Sequence, residues 1–504
     1  MSQLFATKPM SMLMEEMEGE NRLKRVLGPV ALTSLGVGAI IGTGIFVLTG
    51  VAAHDKTGPS LMLSFVVAGL ACVFAALCYA EFASMVPVAG SAYTYAYATL
   101  GELMAWIIGW DLVLEYAVGS ATVASGWSHY FSTFIDFFGW KIKPEFNQPP
   151  IDYDPKTGKF PSTGAYFDLP AVLITFAITT ILVRGIKEST TFNAVMVIIK
   201  LAIVLFVIFV GMWYVDIANW TPFAPFGYTG ISFFGNRVAG QVGKGGEPLG
   251  MLAGASTIFF AYIGFDAVSN QSEEAKNPKR DVPIGIIVSL VLCTALYIAV
   301  AAVLTGMVRY DKIDINAPIS TAFGQVGLPW AKYLISAGAL TGITSVLLVM
   351  MLSQPRVLLA MARDGLVPPG FFGSIHPKFR TPWKSTIVNG FFVALLAGLL
   401  PLRILAELVN IGTLLAFAIV CGAVLVMRRT HPELERPFKV PLVPLLPILG
   451  IATCLLLMFS LPWENWLRLI VWLAIGFVIY FGYGKYHSVM AKQAAKPAIT
   501  DDLA

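Results

Sequence analysis

The sequence has few charged residues: Asp, Glu, Lys and Arg make up 13% of its 504 residues, while 57% are hydrophobic. A soluble domain carries about 25% charged residues, so this composition excludes a water-soluble protein. The net charge of +4 is small, and no basic stripe interleaved with aromatic residues predicts a nucleic-acid partner. Apolar runs recur along almost the whole chain, and a polytopic membrane bundle is the class that fits them.

Reactive side chains are also scarce. The five cysteines lie in apolar segments without a CxxC pair, so the sequence predicts neither a disulfide framework nor a cysteine metal site. The histidines are scattered over loops and span ends, and no HExxH, Walker or plausible GxSxG motif occurs. We therefore expect a protein that is not an enzyme and that has no cofactor or metal. Since no segment is long enough for a nucleotide-binding domain, a gradient is the expected energy source.

Twelve apolar spans are predicted. Lys and Arg concentrate in alternate loops, which by the positive-inside rule places both termini in the cytoplasm of a multi-pass cell-membrane protein. We expect a cytoplasmic tail over residues 1–29 and another over 485–504. The predicted spans cover residues 30–53, 59–86, 96–130, 169–186, 190–215, 249–274, 282–307, 330–361, 384–400, 403–428, 442–461 and 464–484.

The first span is interrupted near its middle by Gly38, Gly42 and Gly44. Glycine disfavours a continuous helix by about 1 kcal/mol per residue relative to alanine. One interpretation is a broken helix whose free N–H groups form a small binding nest, since broken backbone in a membrane must be buried or line a cavity. The other interpretation is that the glycines let a second helix pack closely.

The sixth span repeats this irregularity, with Gly264 and Asp266 in an otherwise apolar run. Interrupted helices at corresponding positions in two halves of a chain indicate a transporter binding site. We therefore expect inverted repeats over residues 30–215 and 249–428, because an odd number of spans reverses the second copy. Two additional spans over 442–484 follow them.

The two interruptions together suit an α-amino acid. Free N–H groups and the positive end of a half-helix favour a carboxylate, and free carbonyls favour an ammonium. The N–H groups are expected at Gly42, Thr43 and Gly44, and the carbonyls at Ile40, Phe260, Ala261 and Ile263.

Two charged side chains lie deep inside predicted spans. Glu115 is a functional carboxylate or a structural one that bonds a neighbouring helix. Lys200 lies near the midplane and is a proton carrier or a fixed cation paired with a carboxylate. In the eighth span, Thr344 and Ser345 bond the preceding turn or line a site close to Lys200.

Five motifs in order resemble the amino acid–polyamine–organocation superfamily, and more closely the cationic amino acid transporters and their bacterial proton-coupled relatives. The resemblance spans roughly residues 23–431. The motifs are GAIIGTGIF (38–46), YAEFASMVPVAGSAY (79–93), GWDLVLE (109–115), the segment 259–266 followed by EAKNPKRDVP (274–283), and QPRVLLAMARDGL (354–366).

This resemblance implies an all-α, leucine-transporter-type fold with 5+5 inverted repeats and two extra helices. It implies that Gly42, Thr43 and Gly44 hold the substrate carboxylate and that Phe260 acts as a gate. It also implies that Lys200 takes the place of a bound sodium ion, near the carbonyls around Gly38 and the hydroxyls of the eighth span.

The expected function is proton-coupled symport of L-amino acids by alternating access. Met350 shortens the pocket and favours alanine-sized substrates, whereas Glu115 and Asp266 favour cationic side chains, so both substrate classes stay open. The alternatives are an amino-acid or polyamine exchanger and, less favoured, a receptor on the same scaffold. The expected partners are the substrate, protons and the lipid bilayer, and the sequence does not reveal a small membrane partner.

Overall fold

The computed structural model describes residues 3–9, 12, 27–85, 91–152, 159–185, 190–233, 236–243, 246–266, 268–269, 272 and 275–494. Most of the predicted N-terminal tail and the C-terminal tail after residue 494 lie outside these residues, as do residues 86–90 and 274 of the quoted motifs. The α-helices are α1 (Pro29–Ile40), α2 (Thr49–Ala52), α3 (Leu61–Met85), α4 (Ser91–Thr99), α5 (Glu102–Ile135), α6 (Leu169–Arg184), α7 (Thr190–Gly211), α8 (Met251–Ile258), α9 (Pro278–Met307), α10 (Pro318–Gln325), α11 (Pro329–Arg363), α12 (Pro369–Phe372), α13 (Trp383–Leu399), α14 (Leu402–Thr430), α15 (Leu445–Phe459), α16 (Trp463–Ile479), α17 (Lys485–His487) and α18 (Val489–Ala494).

Apolar helices dominate the described part of the chain. Seven helical segments there are long and apolar enough to cross a membrane, and five further apolar helices have 10–17 residues. Many of their outward side chains, such as Phe209 and Phe391, are large, apolar and exposed. Such faces are stable against lipid and costly against water. The chain is a multi-pass membrane protein.

Helices of the first half pack against helices of the second half. The helix α3 contacts α9, α5 contacts α11, and α6 contacts α13. These are the second, third and fourth spans of the chain paired with the seventh, eighth and ninth. The interrupted first and sixth spans also meet, as the site geometry below describes.

A small antiparallel sheet lies between α7 and α8, where the sequence predicted only a loop. Its strands are β1 (Gly230–Phe233), β2 (Asn236–Val242) and β3 (Pro248–Leu249), in that order. Gly240 inside β2, at φ +80°, and Gly250 just before α8, at φ +123°, have backbone conformations that residues with a Cβ adopt poorly. The expectation of a purely helical chain is therefore corrected at this segment.

The predicted third span is two helices, α4 and α5, because Gly101 adopts φ +99° between them. A Cβ on Gly101 would lie 2.7 Å from the backbone of Phe5, so the N-terminal segment 3–9 packs here. Lys8 in that segment forms a buried ion pair with Asp364 at 2.9 Å. The core of the third span thus begins at Glu102 rather than at residue 96.

Candidate functional site

The two interrupted spans meet at their breaks. The helix α1 ends at Ile40, Ile41 is extended, and a π-helical turn resumes at Gly44. The helix α8 passes into a 3₁₀ turn over Phe259–Tyr262. Gly44 lies directly against Ala261, and a Cβ on Gly44 would overlap the Ala261 backbone. The first span is thus broken at its glycines, and these glycines also permit a close approach of the two breaks, as the packing interpretation predicted.

The break in α8 depends on a second glycine. Gly264 adopts φ +126°, and a Cβ there would lie 2.8 Å from the carbonyl oxygen of Ala39. Ile263 is extended and buried. The two interrupted segments thus cross with backbone against backbone. Their carbonyl groups therefore lie close together in the membrane interior.

Tyr297 of α9 links these carbonyl groups. Its hydroxyl oxygen lies 2.8 Å from the carbonyl oxygen of Ile40 and 3.0 Å from that of Ala261. A phenol has one proton to donate, so it serves one of the two acceptors at a time. The sequence did not single out Tyr297, because a tyrosine in an apolar helix is usually a packing residue.

The N–H side of the first break is enclosed by α5 and α11. A Cβ on Gly42 would lie 2.6 Å from Val346 Cγ2, and one on Gly126 would lie 2.7 Å from Thr43 Cγ2. Thr43 is buried, and its hydroxyl has no hydrogen-bond partner among the described residues. This region is therefore a tight, polar turn enclosed by apolar helices.

Lys200 of α7 reaches the same break from the other side. Its side chain is fully buried, and its ammonium donates to the carbonyl oxygen of Gly38. That carbonyl belongs to the last turn of α1, where the helix offers it no regular partner. Cys293 of α9 is its electrostatic neighbour. Lys200 and Gly38, both singled out from the sequence, are thus in contact.

The eighth span meets Lys200 through a glycine. A Cβ on Gly342 would lie 3.3 Å from Lys200 Cγ. The hydroxyls point elsewhere: Thr344 accepts from Trp127 Nε1 at 2.9 Å and donates to Leu340 O, and Ser345 donates to Gly342 O at 3.1 Å. Both hydroxyls therefore form their hydrogen bonds with the α11 backbone and with Trp127 rather than with Lys200.

Phe260 and Met350 lie together beside Gly119 of α5. A Cβ on Gly119 would lie 3.4 Å from Phe260 Cε2 and 3.4 Å from Met350 Sδ. Both side chains are buried. Since Phe260 belongs to the 3₁₀ turn of the second break, these two side chains form one apolar wall next to it.

The two predicted acids lie close to each other, near that wall. Glu115 is one helical turn before Gly119, and it is an electrostatic neighbour of Asp266. The Asp266 carboxylate accepts from the Tyr116 hydroxyl at 3.0 Å and from the Gly264 N–H at 3.2 Å. Asp266 therefore holds the turn after the second break, while Glu115 Oε2 has no hydrogen-bond partner in the described part of the chain.

Polar side chains from α14 and from the segment after α2 bond the last turn of α8, next to its break. Asn410 donates to the carbonyl oxygens of Ser256 and Thr257 at 2.8 and 3.0 Å. Lys56 pairs with Glu407 at 2.5 Å and donates to Thr257 at 3.1 Å. Arg403 pairs with Asp55 at 2.9 Å. These bonds join α14 to the last turn of α8 and to the segment after α2.

Comparison with known proteins agrees with this architecture. Residues 27–483 match the family described as amino acid permease. The chain belongs to the amino acid permease family.

Among relatives of this permease, a methylthioribose transporter of Bacillus subtilis (strain 168) is 46% identical over 98% of the chain and 100% of its own length. The branched-chain amino acid permease BcaP of the same organism is 47% identical over 96% of the chain and 98% of its own length. A vacuolar cationic amino acid transporter 4 of Arabidopsis thaliana is 40% identical over 82% of the chain and 65% of its own length.

Proposed function

We propose that the protein is a proton-coupled symporter that imports L-amino acids by alternating access. The single observation that carries the proposal is the contact between Lys200 and Gly38, because it joins a buried cation to the interrupted helix of the binding site. Membership of the amino acid permease family supports the substrate class.

The proposed fold is the 5+5 inverted repeat with two extra helices, twelve spans in all. The contacts of α3 with α9, α5 with α11 and α6 with α13 support it, because each pairs a helix with its counterpart five spans later. Elements related by a pseudo-two-fold axis meet in this way when they lie near that axis.

The proposed substrate contacts lie at the two breaks. The N–H groups at Gly42, Thr43 and Gly44 bind the carboxylate, and the carbonyls of Ile40, Phe260, Ala261 and Ile263 receive the ammonium. An ammonium has three protons, so it can donate to both carbonyls that the Tyr297 hydroxyl approaches. The tyrosine hydroxyl then rotates away from them. Pairing both charged ends offsets the cost of removing a zwitterion from water.

The proposed coupling runs through the protonation of Lys200. A charged ammonium binds the Gly38 carbonyl more strongly than a neutral amine does. Loss of the proton therefore weakens the bond that holds the end of α1 and shifts the population toward the conformation in which α1 has moved. Thr344 and Ser345 are proposed to approach Lys200 in that second conformation.

Uptake into proteoliposomes tests this proposal. An inward proton gradient should drive accumulation of alanine with or without sodium. Lys200→Ala should abolish the gradient-driven part and keep some binding, and Lys200→Arg should bind without accumulating, since arginine does not release its proton. Lys312→Ala, at an exposed loop lysine, is the matched control and should transport normally. Full gradient-driven uptake by Lys200→Ala would overturn the proton role.

A second candidate function is methylthioribose transport, which the 46% identical relative favours. Methylthioribose is an uncharged sugar thioether: its hydroxyls can bond N–H groups and carbonyls, but it brings neither a carboxylate to the half-helix N-terminus nor an ammonium to the carbonyls. A thermal-shift panel of alanine, leucine, arginine, lysine and methylthioribose distinguishes the two. Stabilisation by amino acids supports symport of amino acids, and stabilisation by methylthioribose alone supports the second candidate. Counterflow that requires internal substrate would instead identify an exchanger.

A further inference from the structure

A group of charged side chains lies between α5, α14 and α16, one to two helical turns beyond the wall of Phe260 and Met350. Asp111 and Glu115 belong to α5 and are almost completely buried. Arg468 belongs to α16, outside the two repeats, and it is an electrostatic neighbour of both acids. Thr413 of α14 lies beside Glu115.

The group is closely enclosed. The Asp111 carboxylate fills the space where Gly412 has no side chain, with Oδ1 2.6 Å from the position of a Cβ. Trp110 stacks on Trp472 with ring centroids 4.4 Å apart. The indole N–H of each tryptophan donates to the backbone carbonyl oxygen of the other. Asp111 Oδ2, Glu115 Oε2 and Arg468 Nε have no hydrogen-bond partners within the described residues. Polar capacity therefore remains on both the acids and the arginine.

The charge of Arg468 constrains the charge of the acids. An arginine stays protonated in proteins, and an isolated cation inside a bilayer is costly. A nearby cation favours the ionised form of a carboxylate, so Arg468 favours negative charge on this pair of acids. Arg468 thus balances, from α16, negative charge on two acids that lie one and two helical turns from Gly119.

We propose that Arg468 is a specificity-determining residue that disfavours cationic substrates. It competes with the ammonium or guanidinium of a substrate side chain for Asp111 and Glu115, and it repels that cation directly. A substrate with a neutral side chain meets no such competition. This inference rests on the proposed function, because it concerns the side-chain end of the same site.

Binding of arginine and of alanine to the purified full-length protein tests the inference through the ratio of the two affinities. Arg468→Gln should raise the arginine-to-alanine ratio about tenfold or more, since juxtaposed like charges cost several kcal/mol. Arg468→Lys keeps the cation and should keep the wild-type ratio. The double variant Asp111→Asn with Arg468→Gln removes one charge of each sign and should return the ratio toward the wild-type value.

The outcomes separate this inference from the proposed function. If the wild type binds neither amino acid, the proposed function fails. If the wild type binds alanine and Arg468→Gln weakens both ligands in parallel, Arg468 is only structural and the inference is overturned. If Arg468→Gln does not fold, Asp111→Asn alone tests the inference. Arg468 should then pair more strongly with Glu115, which should lower the arginine-to-alanine affinity ratio. An unchanged ratio would contradict the inference.

Discussion

Met350 is the residue at which the choice between neutral and cationic substrates is easiest to change. It packs with Phe260 against Gly119, one helical turn from Glu115. Met350→Ser should open this wall and improve competition by arginine about tenfold, because the longer side chain then reaches the acids. Competition against labelled alanine measures the change.

The neighbouring Met351→Ser is the control for that prediction, since Met351 is equally buried but faces a different direction on α11. Both variants lose similar apolar contact, so their stabilities should fall by a similar amount, about 2–5 kcal/mol at most. Equal arginine competition in both variants would show that Met350 does not face the substrate.

The residues that the sequence identified are those whose type conflicts with a membrane helix. Lys200, Gly42 and Gly44 are conspicuous in an apolar span, and the structure brings all three to one break. Tyr297 and Arg468 could not be identified in this way. Tyrosine is common in packed membrane helices. Arg468 lies five residues after the predicted loop that precedes the last span, where the sequence gives a cation no special significance.

Among elements, the two interrupted spans depend on their close contact. Gly44→Ala would place a Cβ into the Ala261 backbone, which cannot shift as a side-chain end can. We expect a loss of about 1–3 kcal/mol in the free energy of unfolding. We also expect loss of substrate binding, because the two halves of the site would be pushed apart. Thermal unfolding and alanine binding measure the two effects.

Gly422→Ala is the matched control for the contact of the breaks. Gly422 lies inside α14 with open space around a Cβ, so alanine should stabilise the helix by up to about 1 kcal/mol. A Gly44→Ala variant that binds alanine as the wild type does would contradict a shared site between α1 and α8.

The span pattern was predictable because hydropathy and span length constrain it strongly, and the observed helices lie within the predicted spans at most positions. The sheet β1–β3 and the division into α4 and α5 were not predictable. Both depend on single glycines at positive φ and on contacts with distant segments, namely Gly240, Gly250 and Gly101. Such tertiary contacts leave no periodic signal in the sequence.

At the scale of the whole molecule, the ion pairs of Lys56 with Glu407 and of Arg403 with Asp55 link α14 to the segment after α2. Lys56→Met removes the cation between Glu407 and Thr257. We expect the site to open to the extracellular side more often, about fivefold for a loss of roughly 1 kcal/mol.

Thiol labelling measures this opening. All five native cysteines are buried, so a Thr257→Cys variant supplies the reactive position. A membrane-impermeant reagent added outside should label it faster when Lys56→Met is also present, whereas Lys312→Met should leave the rate unchanged. Equal rates in all three backgrounds would show that the ion pair does not hold the outer side closed.

The single proton of the Tyr297 hydroxyl has a kinetic consequence. With no amino acid bound, the carbonyls of Ile40 and Ala261 share one donor, so the closed, empty carrier always has one acceptor unserved. A buried acceptor without a partner costs about 1–3 kcal/mol, and a bound ammonium removes that cost. The empty carrier should therefore reorient more slowly than the loaded one, and amino acid preloaded inside vesicles should accelerate uptake by trans-stimulation.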